Sequence, residues 1–183
     1  MTTSIHFALF ETEIGACALA WGGKGLVSVQ LPSADGHALR ARMKRLLPGA
    51  VEAEPPPEVT KAIAGIQALL AGEPVDLRWI ELDTDHVPDF NRQVYAIARA
   101  IPRGSTMTYG EIAKKLGDPL LAQAVGKAMG QNPHPIVMPC HRVLAAGGKS
   151  GGFSAYGGVE TKRRLLKIEG ALPDDQPSLF GWA

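Results

Sequence analysis

The stretch Asn132-Pro-His-Pro-Ile-Val-Met-Pro-Cys-His-Arg-Val143 decides how this 183-residue chain is interpreted. It places an apolar run, Ile136–Met138, directly before Pro139 and Cys140, and His141 follows the cysteine. A neighbouring imidazole lowers the pKa of a thiol from its usual value of about 8.5, so a cysteine in this setting is a candidate activated nucleophile. The alternative is a buried structural thiol, the usual fate of an isolated cysteine.

Cysteine usage limits the class of protein. The chain has two cysteines, which excludes a disulfide-dense scaffold and a Cys-rich zinc module. Cys17 lies in an apolar run with no adjacent base, so we predict that it is a core residue. The histidines show no metal-ligand spacing, and we expect neither a metal nor a cofactor.

The first residues lack a basic region, and no apolar run approaches the roughly 18 residues of a membrane span. A cytoplasmic protein without membrane contact is therefore expected.

The formal net charge of +1 hides a split between the two halves of the chain. Residues 1–85 hold 7 Lys and Arg against 11 Asp and Glu, whereas residues 86–170 hold 12 against 5. Such asymmetry favours a basic face for an anionic partner, attached to an acidic support. A chance split of solvated charges is the alternative.

The first half has the pattern of a small α/β unit. Short apolar runs at Ile5–Phe10, Gly15–Trp21 and Leu26–Leu31, separated by turn residues, predict an antiparallel meander. Two amphipathic helices should follow, the first capped by Ser33. We predict a possible last strand at Val75–Leu82.

The second half is predicted to be mainly helical. Phe90, Val94, Ile97 and Ile101 form one apolar helix face. A capping-box pattern at Thr108–Glu111 opens a short helix, and a further helix covers residues 120–130. Two short helices joined by a Gly-containing turn are a helix-turn-helix candidate. The many small residues of the second helix allow close approach to another surface, but they equally fit tight packing within the domain.

These motifs together resemble the O6-alkylguanine-DNA alkyltransferases, also called methylated-DNA–protein-cysteine methyltransferases. The likeness runs in the family's order through RGSTMTYGEIA, AVGKAM, NPHPIVMPCHRV, GGFSAYGG and TKRRLLKIEG, from Phe90 to Gly170. The first half is similar in general character. The resemblance implies an α+β fold, with a ribonuclease-H-like α/β domain followed by a mainly helical domain that carries the helix-turn-helix. The implied limits are 1–82 for the support domain, 83–89 for a linker, 90–170 for the catalytic and DNA-binding domain, and 171–183 for a C-terminal tail.

The resemblance also implies a reaction. Alkylated guanine is rotated out of the duplex into a pocket, and the Cys140 thiolate takes the alkyl group from O6 in a single displacement. The product is a thioether, so each molecule acts once. His141 would be the base, acting through a water, and Glu169 would hold and polarise that histidine. Tyr109 would donate a hydrogen bond to the guanine ring. From spacing alone, Glu169 would instead be a solvated residue at a helix end.

Further roles follow from the resemblance, position by position. Asn132 would tie the segment after the helix-turn-helix to the active-site segment, and Arg142 would be structural, paired with a carboxylate or a phosphate. The implied partner is alkylated DNA, bound from the minor groove, with no obligate protein partner. The DNA-binding residues would be Thr108, Ala122, Gln123, Ala124 and Lys127. The pocket would be lined by Met138, Val143, Phe153, Ser154 and Tyr156.

Two positions depart from the family pattern. Family members usually carry an arginine 17 residues before the cysteine, where it fills the gap left by the flipped base, and this chain has Gln123. Glutamine lacks the stacking plane and the charge of a guanidinium, so weaker duplex binding or slower base extrusion is expected. The GGFSAYGG loop is longer than in the commonest family pattern, which would change the alkyl groups that fit.

Three other functions compete with DNA repair by alkyl transfer. A non-catalytic lesion-binding protein is disfavoured because the related alkyltransferase-like proteins have tryptophan in place of Cys140. A cysteine hydrolase is disfavoured because adjacent Cys and His side chains seldom face one another, and no oxyanion-hole motif is visible. A transcriptional regulator is disfavoured because regulators of this family carry an additional sensor domain with its own cysteines, and the two cysteines here do not match that pattern.

Overall fold

A four-stranded sheet organises the first part of the chain. The computed structural model describes residues 3–148 and 158–172. Strands β1 (His6–Thr12) and β2 (Gly15–Gly22) pair antiparallel, and β3 (Gly25–Gln30) pairs antiparallel with β2. A two-residue strand that the sequence did not predict, β4 (Val51–Glu52), lies parallel to β1. The strand order is therefore β3-β2-β1-β4, and the predicted meander forms its first three strands.

Two helices accompany this sheet. Helix α1 (Gly36–Leu46) buries Leu39 and Met43, which pack in one apolar cluster with Phe7 of β1. The prediction that Ser33 caps α1 is wrong. The Asp35 carboxylate accepts the Ala38 N–H at 2.7 Å, because the helix begins at Gly36 and the capping position is the residue before it. Helix α2 (Pro57–Leu70) buries a continuous apolar face, as its spacing predicts.

The predicted strand at Val75–Leu82 is also wrong. This segment is irregular, and its only β-bridge among the described residues joins Leu82 to Leu26. The Asp76 carboxylate accepts the backbone N–H of Arg78 at 2.9 Å. Such a side-chain-to-backbone bond turns the chain and competes with strand pairing.

The chain divides into two contact-defined units. The first takes in the described residues up to His86 together with Pro133–Val137. Within this unit the backbone N–H of Val29 donates to Pro133 O at 2.9 Å, and His134 Nε2 lies 2.8 Å from Leu26 O. The second unit comprises Val87–Asn132 and the described residues from Met138 onward.

The second unit is mainly helical around one apolar cluster. Its helices are α3 (Asp89–Arg99), α4 (Tyr109–Lys115), α5 (Ala122–Gly130) and α6 (Gly158–Ile168). Two short parallel strands, β5 (Met107–Thr108) and β6 (Val143–Leu144), form a second sheet. The buried face of α3 is Asn91, Val94, Tyr95 and Ala98, so Phe90 and Ile97 from the predicted face are only partly buried.

Helix α4 begins where its capping box places it, whereas α5 begins at Ala122, two residues after its predicted start. Both hydrogen bonds of the capping box are present, since Thr108 Oγ1 accepts the Glu111 N–H at 3.1 Å and the Glu111 carboxylate accepts the Thr108 N–H at 2.7 Å. Asp118 caps a 3-10 turn, Pro119–Leu121, that leads into α5. Together, the two sheets and six α-helices of the described residues make a mixed α+β fold. In the part of the chain that the structure describes, no helix is long and apolar enough to cross a membrane.

Candidate active site

Cys140 begins a single 3-10 turn, Cys140–Arg142, inside the second unit. Pro139 precedes this turn with φ −80° and ψ 68°, and the N–H of Val143 closes it by donating to the Cys140 carbonyl. The N–H of Cys140 donates to Met138 O at 2.8 Å. Backbone bonds thus fix the nucleophile candidate from both sides, as a positioned reacting group requires.

The Cys140 side chain is buried, at 6% exposure, in the apolar cluster of its unit. Burial raises the pKa of its thiol, while a hydrogen bond with the Asn132 side chain and the positive charge of Lys162 act in the opposite direction. The expectation from sequence was a lowered pKa beside His141. The pKa of the Cys140 thiol is raised instead, because an apolar environment disfavours the charged thiolate. Cys140 is therefore a thiol at rest, and the reaction has to remove its proton.

His141 is fully buried and faces a carboxylate. Its Nε2 lies 3.0 Å from Glu169 Oε1, and both side chains have 0% exposure. Among the described residues, neither Nδ1 nor Nε2 makes a well-aligned hydrogen bond, so the Nε2–Oε1 approach is a short polar contact. A carboxylate beside one ring nitrogen fixes the orientation of the imidazole, which suits a general base.

Arg142 holds the same carboxylate from its other side. Its Nε donates to Glu169 Oε2 at 2.9 Å and its Nη2 donates to Oε1 at 2.6 Å, while Nη1 donates to Ile101 O at 2.7 Å. The sequence left open whether Arg142 pairs with a carboxylate or with a phosphate, and its partner in the structure is the Glu169 carboxylate. A bidentate guanidinium pair of this kind is geometrically specific as well as strong.

The pKa of Glu169 reflects these partners. Burial alone would raise it, but the hydrogen bonds and charges of His141 and Arg142 outweigh burial and lower it to about 2. The carboxylate is therefore ionised at neutral pH. The interpretation of Glu169 as a solvated residue at a helix end is wrong, because its side chain is completely buried. Gly170 follows with φ +71°, the left-handed conformation that ends a helix.

Tyr109 is half-buried at the start of α4 and packs against the unit's apolar cluster. Burial, and then the charge that Cys140 carries as a thiolate, raise the pKa of its phenol, so it is a proton donor at neutral pH. A Cβ added to Gly126 would lie 3.3 Å from the Tyr109 ring, so α5 contacts the ring through a residue without a side chain. Gly126, one of the small residues of α5, therefore serves close packing within the second unit.

The remaining positions predicted from sequence divide into three groups. Asn132 Nδ2 donates to Met138 O at 2.9 Å, which ties the residue after α5 to the nucleophile's segment, and Met138 and Val143 are buried. On α5, Gln123 and Lys127 are exposed while Ala122 and Ala124 are partly buried. Phe153, Ser154 and Tyr156 lie outside the described residues.

Sequence reasoning missed Lys162 in this site. Its side chain is 1% exposed, and its Nζ donates to Val143 O at 2.7 Å. A sequence signal existed, because Lys162 lies on the same helix face as the buried Leu165 and Leu166. A lysine in an apolar stripe is rarely buried without a partner.

Comparisons with known proteins identify a family. Residues 89–171 match the family description "6-O-methylguanine DNA methyltransferase, DNA binding domain". A methylated-DNA–protein-cysteine methyltransferase of Mycobacterium bovis is 35% identical over 96% of this chain and 99% of its own. One from Methanothermobacter thermautotrophicus is 37% identical over 68% of this chain and 69% of its own.

Solved structures lead to the same family. The Mycobacterium tuberculosis OGT in complex with DNA superposes with a TM-score of 0.74 at 33% identity, covering 91% of this chain and 93% of that one. The O6-methylguanine-DNA methyltransferase of Pyrococcus kodakaraensis gives a TM-score of 0.68 at 28% identity, covering 91% and 99%. On these similarities along nearly the whole chain, the protein belongs to the methylated-DNA–protein-cysteine methyltransferase family.

Proposed function

We propose that this protein repairs DNA by moving an alkyl group, typically methyl, from O6 of guanine onto its own Cys140. The observation that carries the proposal is the buried arrangement in which Glu169 holds His141 at 3.0 Å, directly beside Cys140 in sequence. Nucleophile, base and orienting carboxylate are the parts that nucleophilic catalysis needs.

The chemical step is a single displacement at the alkyl carbon. The thiol proton of Cys140 passes to His141 by way of a water molecule, and the imidazolium is stabilised by the ionised Glu169. The new C–S bond forms as the C–O6 bond breaks, and guanine leaves with the electron pair. Tyr109, protonated at neutral pH, donates a hydrogen bond to the ring as negative charge develops there. Because the thioether is stable, one molecule performs one transfer.

For DNA recognition, we propose that α4 and α5 act as a helix-turn-helix that approaches the minor groove. The exposed Gln123 and Lys127 on α5 support this assignment, as does the excess of basic residues between 86 and 170. Thr108, Ala122 and Ala124 would form the surrounding contact surface. Reaching O6 requires the alkylated base to be flipped out of the stack into the pocket.

The remaining assignments concern organisation. We propose a ribonuclease-H-like support domain over residues 1–82, a linker over 83–89, a catalytic domain over 90–170 and a tail over 171–183. The sheet and two helices of the first unit support the first of these. We also propose that the protein is cytoplasmic. It would act without an obligate protein partner, since the reaction is completed on one cysteine of the same chain.

Incubation with a duplex that contains one O6-methylguanine tests the function. Intact mass analysis should show a gain of about 14 Da, the replacement of a proton by a methyl group, on at most one site per molecule. Peptide mapping should place the gain on the peptide that contains Cys140. A duplex with unmodified guanine is the control and should leave the mass unchanged.

The same experiment decides the non-catalytic alternative. A protein that binds the methylated duplex more tightly than the unmodified one, but gains no mass, would be a lesion-binding protein. That outcome would contradict the proposed alkyl transfer.

The exposed Gln123 gives a prediction about DNA affinity. Gln123→Arg should tighten binding to duplex DNA, by about threefold to tenfold at low salt, because the guanidinium adds a positive charge and a stacking plane. Fluorescence anisotropy across a salt series measures the effect, and the gain should shrink as salt increases. Lys44→Arg, an exposed position on α1 that keeps its charge, is the control. Equal affinities for wild type and Gln123→Arg at every salt concentration would contradict the prediction.

A further inference from the structure

Leu120 is the most exposed of the large apolar side chains that the structure describes. Its exposure is 89%, whereas the next values are 57% for Val51 and 50% for Leu46. A single exposed leucine is common on protein surfaces, so exposure alone assigns no function. Leu120 differs from the other two residues in its position, because it belongs to the turn that leads into α5.

The backbone that carries Leu120 is fixed by its neighbours. Leu120 is the middle residue of the 3-10 turn Pro119–Leu121, and the ring of Pro119 fixes one dihedral angle of this turn. The Asp118 carboxylate accepts the Leu120 N–H at 2.9 Å, and the Asp118 carbonyl accepts the Leu121 N–H at 3.1 Å. The exposed side chain therefore projects from a backbone whose position is defined.

The residues after Leu120 anchor the turn to the second unit. Leu121 and Ala122 are partly buried and pack against the apolar cluster of that unit. Leu120 is thus the residue of this apolar run that stays outside the core. Because covering apolar surface is favourable, its side chain offers a contact to a partner that approaches the turn.

The charges near Leu120 in sequence favour a nucleic-acid partner. Lys114 and Lys115 lie in the last turn of α4 and Lys127 lies on α5, and all three are exposed. The acidic residues between 108 and 130 are Glu111 and Asp118, and the carboxylates of both accept backbone N–H groups. Lysines attract phosphate groups in any sequence, so an apolar side chain between them suits a DNA duplex.

Base flipping creates a gap that an apolar side chain can fill. Rotating a base out of the duplex separates it from its stacked neighbours, and this unstacking has a free-energy cost. Proteins that bind in the minor groove frequently insert an apolar wedge between base steps, and leucine is one of the residues that they use. Gln123 and Lys127, exposed on α5, have polar side chains, whereas Leu120 is apolar.

We propose that Leu120 is a positioning residue, a wedge that enters the base stack when the alkylated guanine is flipped out and holds the gap open while Cys140 reacts. The inference rests on the proposed function, since it concerns base flipping for the same alkyl transfer. An alkylated base in a single strand is displaced at lower cost than one in a duplex. The wedge therefore acts on duplex substrates.

Three substitutions separate the apolar character of Leu120 from its size. Leu120→Ala removes most of the side chain, Leu120→Asn keeps a similar size but is polar, and Leu120→Met keeps both the size and the apolar character. Leu46→Ala, at an exposed position on α1, is the matched control. Because both positions are exposed, all four variants should fold as the wild type does.

The first measurement compares methyl transfer from O6-methylguanine in a duplex with transfer from the same strand unpaired. We expect Leu120→Ala and Leu120→Asn to lower the second-order rate constant about tenfold on the duplex and less than about twofold on the single strand. Leu120→Met should stay within about threefold of wild type on both substrates. Leu46→Ala should match wild type on both.

The second measurement detects flipping without the chemical step. It uses the Cys140→Ala background and a duplex with 2-aminopurine next to O6-methylguanine, because 2-aminopurine fluoresces more strongly when its neighbour leaves the stack. At protein concentrations that saturate the duplex by anisotropy, Cys140→Ala should raise the fluorescence. Adding Leu120→Ala should reduce this rise to less than about half.

The outcomes separate this inference from the proposed function. Equal slowing of Leu120→Ala on both substrates, no slowing on the duplex, or a fluorescence rise that does not depend on Leu120 would overturn the wedge. A fluorescence rise that depends on Leu120, in a protein whose wild type transfers no methyl group from either substrate, would instead overturn the proposed function.

Discussion

Cys140→Ala is expected to abolish alkyl transfer completely. The variant lacks the sulfur that accepts the alkyl carbon, and the other cysteine of the chain, Cys17, is fully buried in β2. The proposed DNA-facing residues of α5 are unaffected, so affinity for duplex DNA should stay within about twofold of wild type. Intact mass after incubation with O6-methylguanine duplex measures the transfer, and anisotropy measures the binding.

Cys17→Ser provides the matched control for the loss of a thiol. Cys17 is fully buried in β2, and burial raises its pKa to about 11, so it is chemically inert at neutral pH. The Cys17→Ser variant should therefore still gain one methyl group. A methyl adduct on Cys140→Ala, at any residue, would contradict the assignment of the nucleophile.

Glu169→Gln is expected to destabilise the second unit strongly. The variant removes the charge that balances buried Arg142, and an amide N–H would face donors from Arg142 or His141. Breaking a buried ion pair from one side typically costs about 3–5 kcal/mol of unfolding free energy. Urea denaturation should show this loss as a lower midpoint, and the alkyl-transfer rate should fall because His141 loses its orienting carboxylate.

Glu160→Gln, at an exposed position in the first turn of α6, is the matched control. It removes the same charge from the first turn of α6, whereas Glu169 directly follows the last residue of that helix. The stability of Glu160→Gln should stay within about 0.5 kcal/mol of wild type. Equal urea midpoints for Glu169→Gln and Glu160→Gln would show that the buried network does not contribute to stability.

The lowered pKa of Glu169 also predicts how stability depends on pH. The folded state binds the Glu169 proton with a pKa of about 2, against an ordinary value of 4.5. The corresponding stabilisation is complete above pH 4.5 and is lost as the pH falls from 4.5 to 2, because the unfolded state binds the proton first. The stability difference between wild type and Glu169→Gln should therefore shrink over this range. A constant difference from pH 6 to pH 2.5 would contradict the assignment.

Local sequence patterns predicted the elements that depend on neighbouring residues. The Thr108–Glu111 capping box lies within four residues, and both of its hydrogen bonds form. The three-strand meander is set by short apolar runs between turns and lies where it was predicted. Val75–Leu82 fails as a strand, because apolar spacing does not reveal that Asp76 bonds to the backbone of Arg78.

The sequence by itself determined the family and the candidate nucleophile, since Cys140 and His141 are adjacent in a specific motif. Only the tertiary structure decided which charges are buried and what they contact. Glu169 lies 27 residues after Arg142. Spacing alone favoured a solvated helix end and the family resemblance assigned it to His141, whereas the structure shows a buried carboxylate with a pKa of about 2. Lys162, which sequence reasoning missed, is buried as well. The energy of a charge depends on the atoms packed around it, and those atoms come from chain segments far apart in sequence.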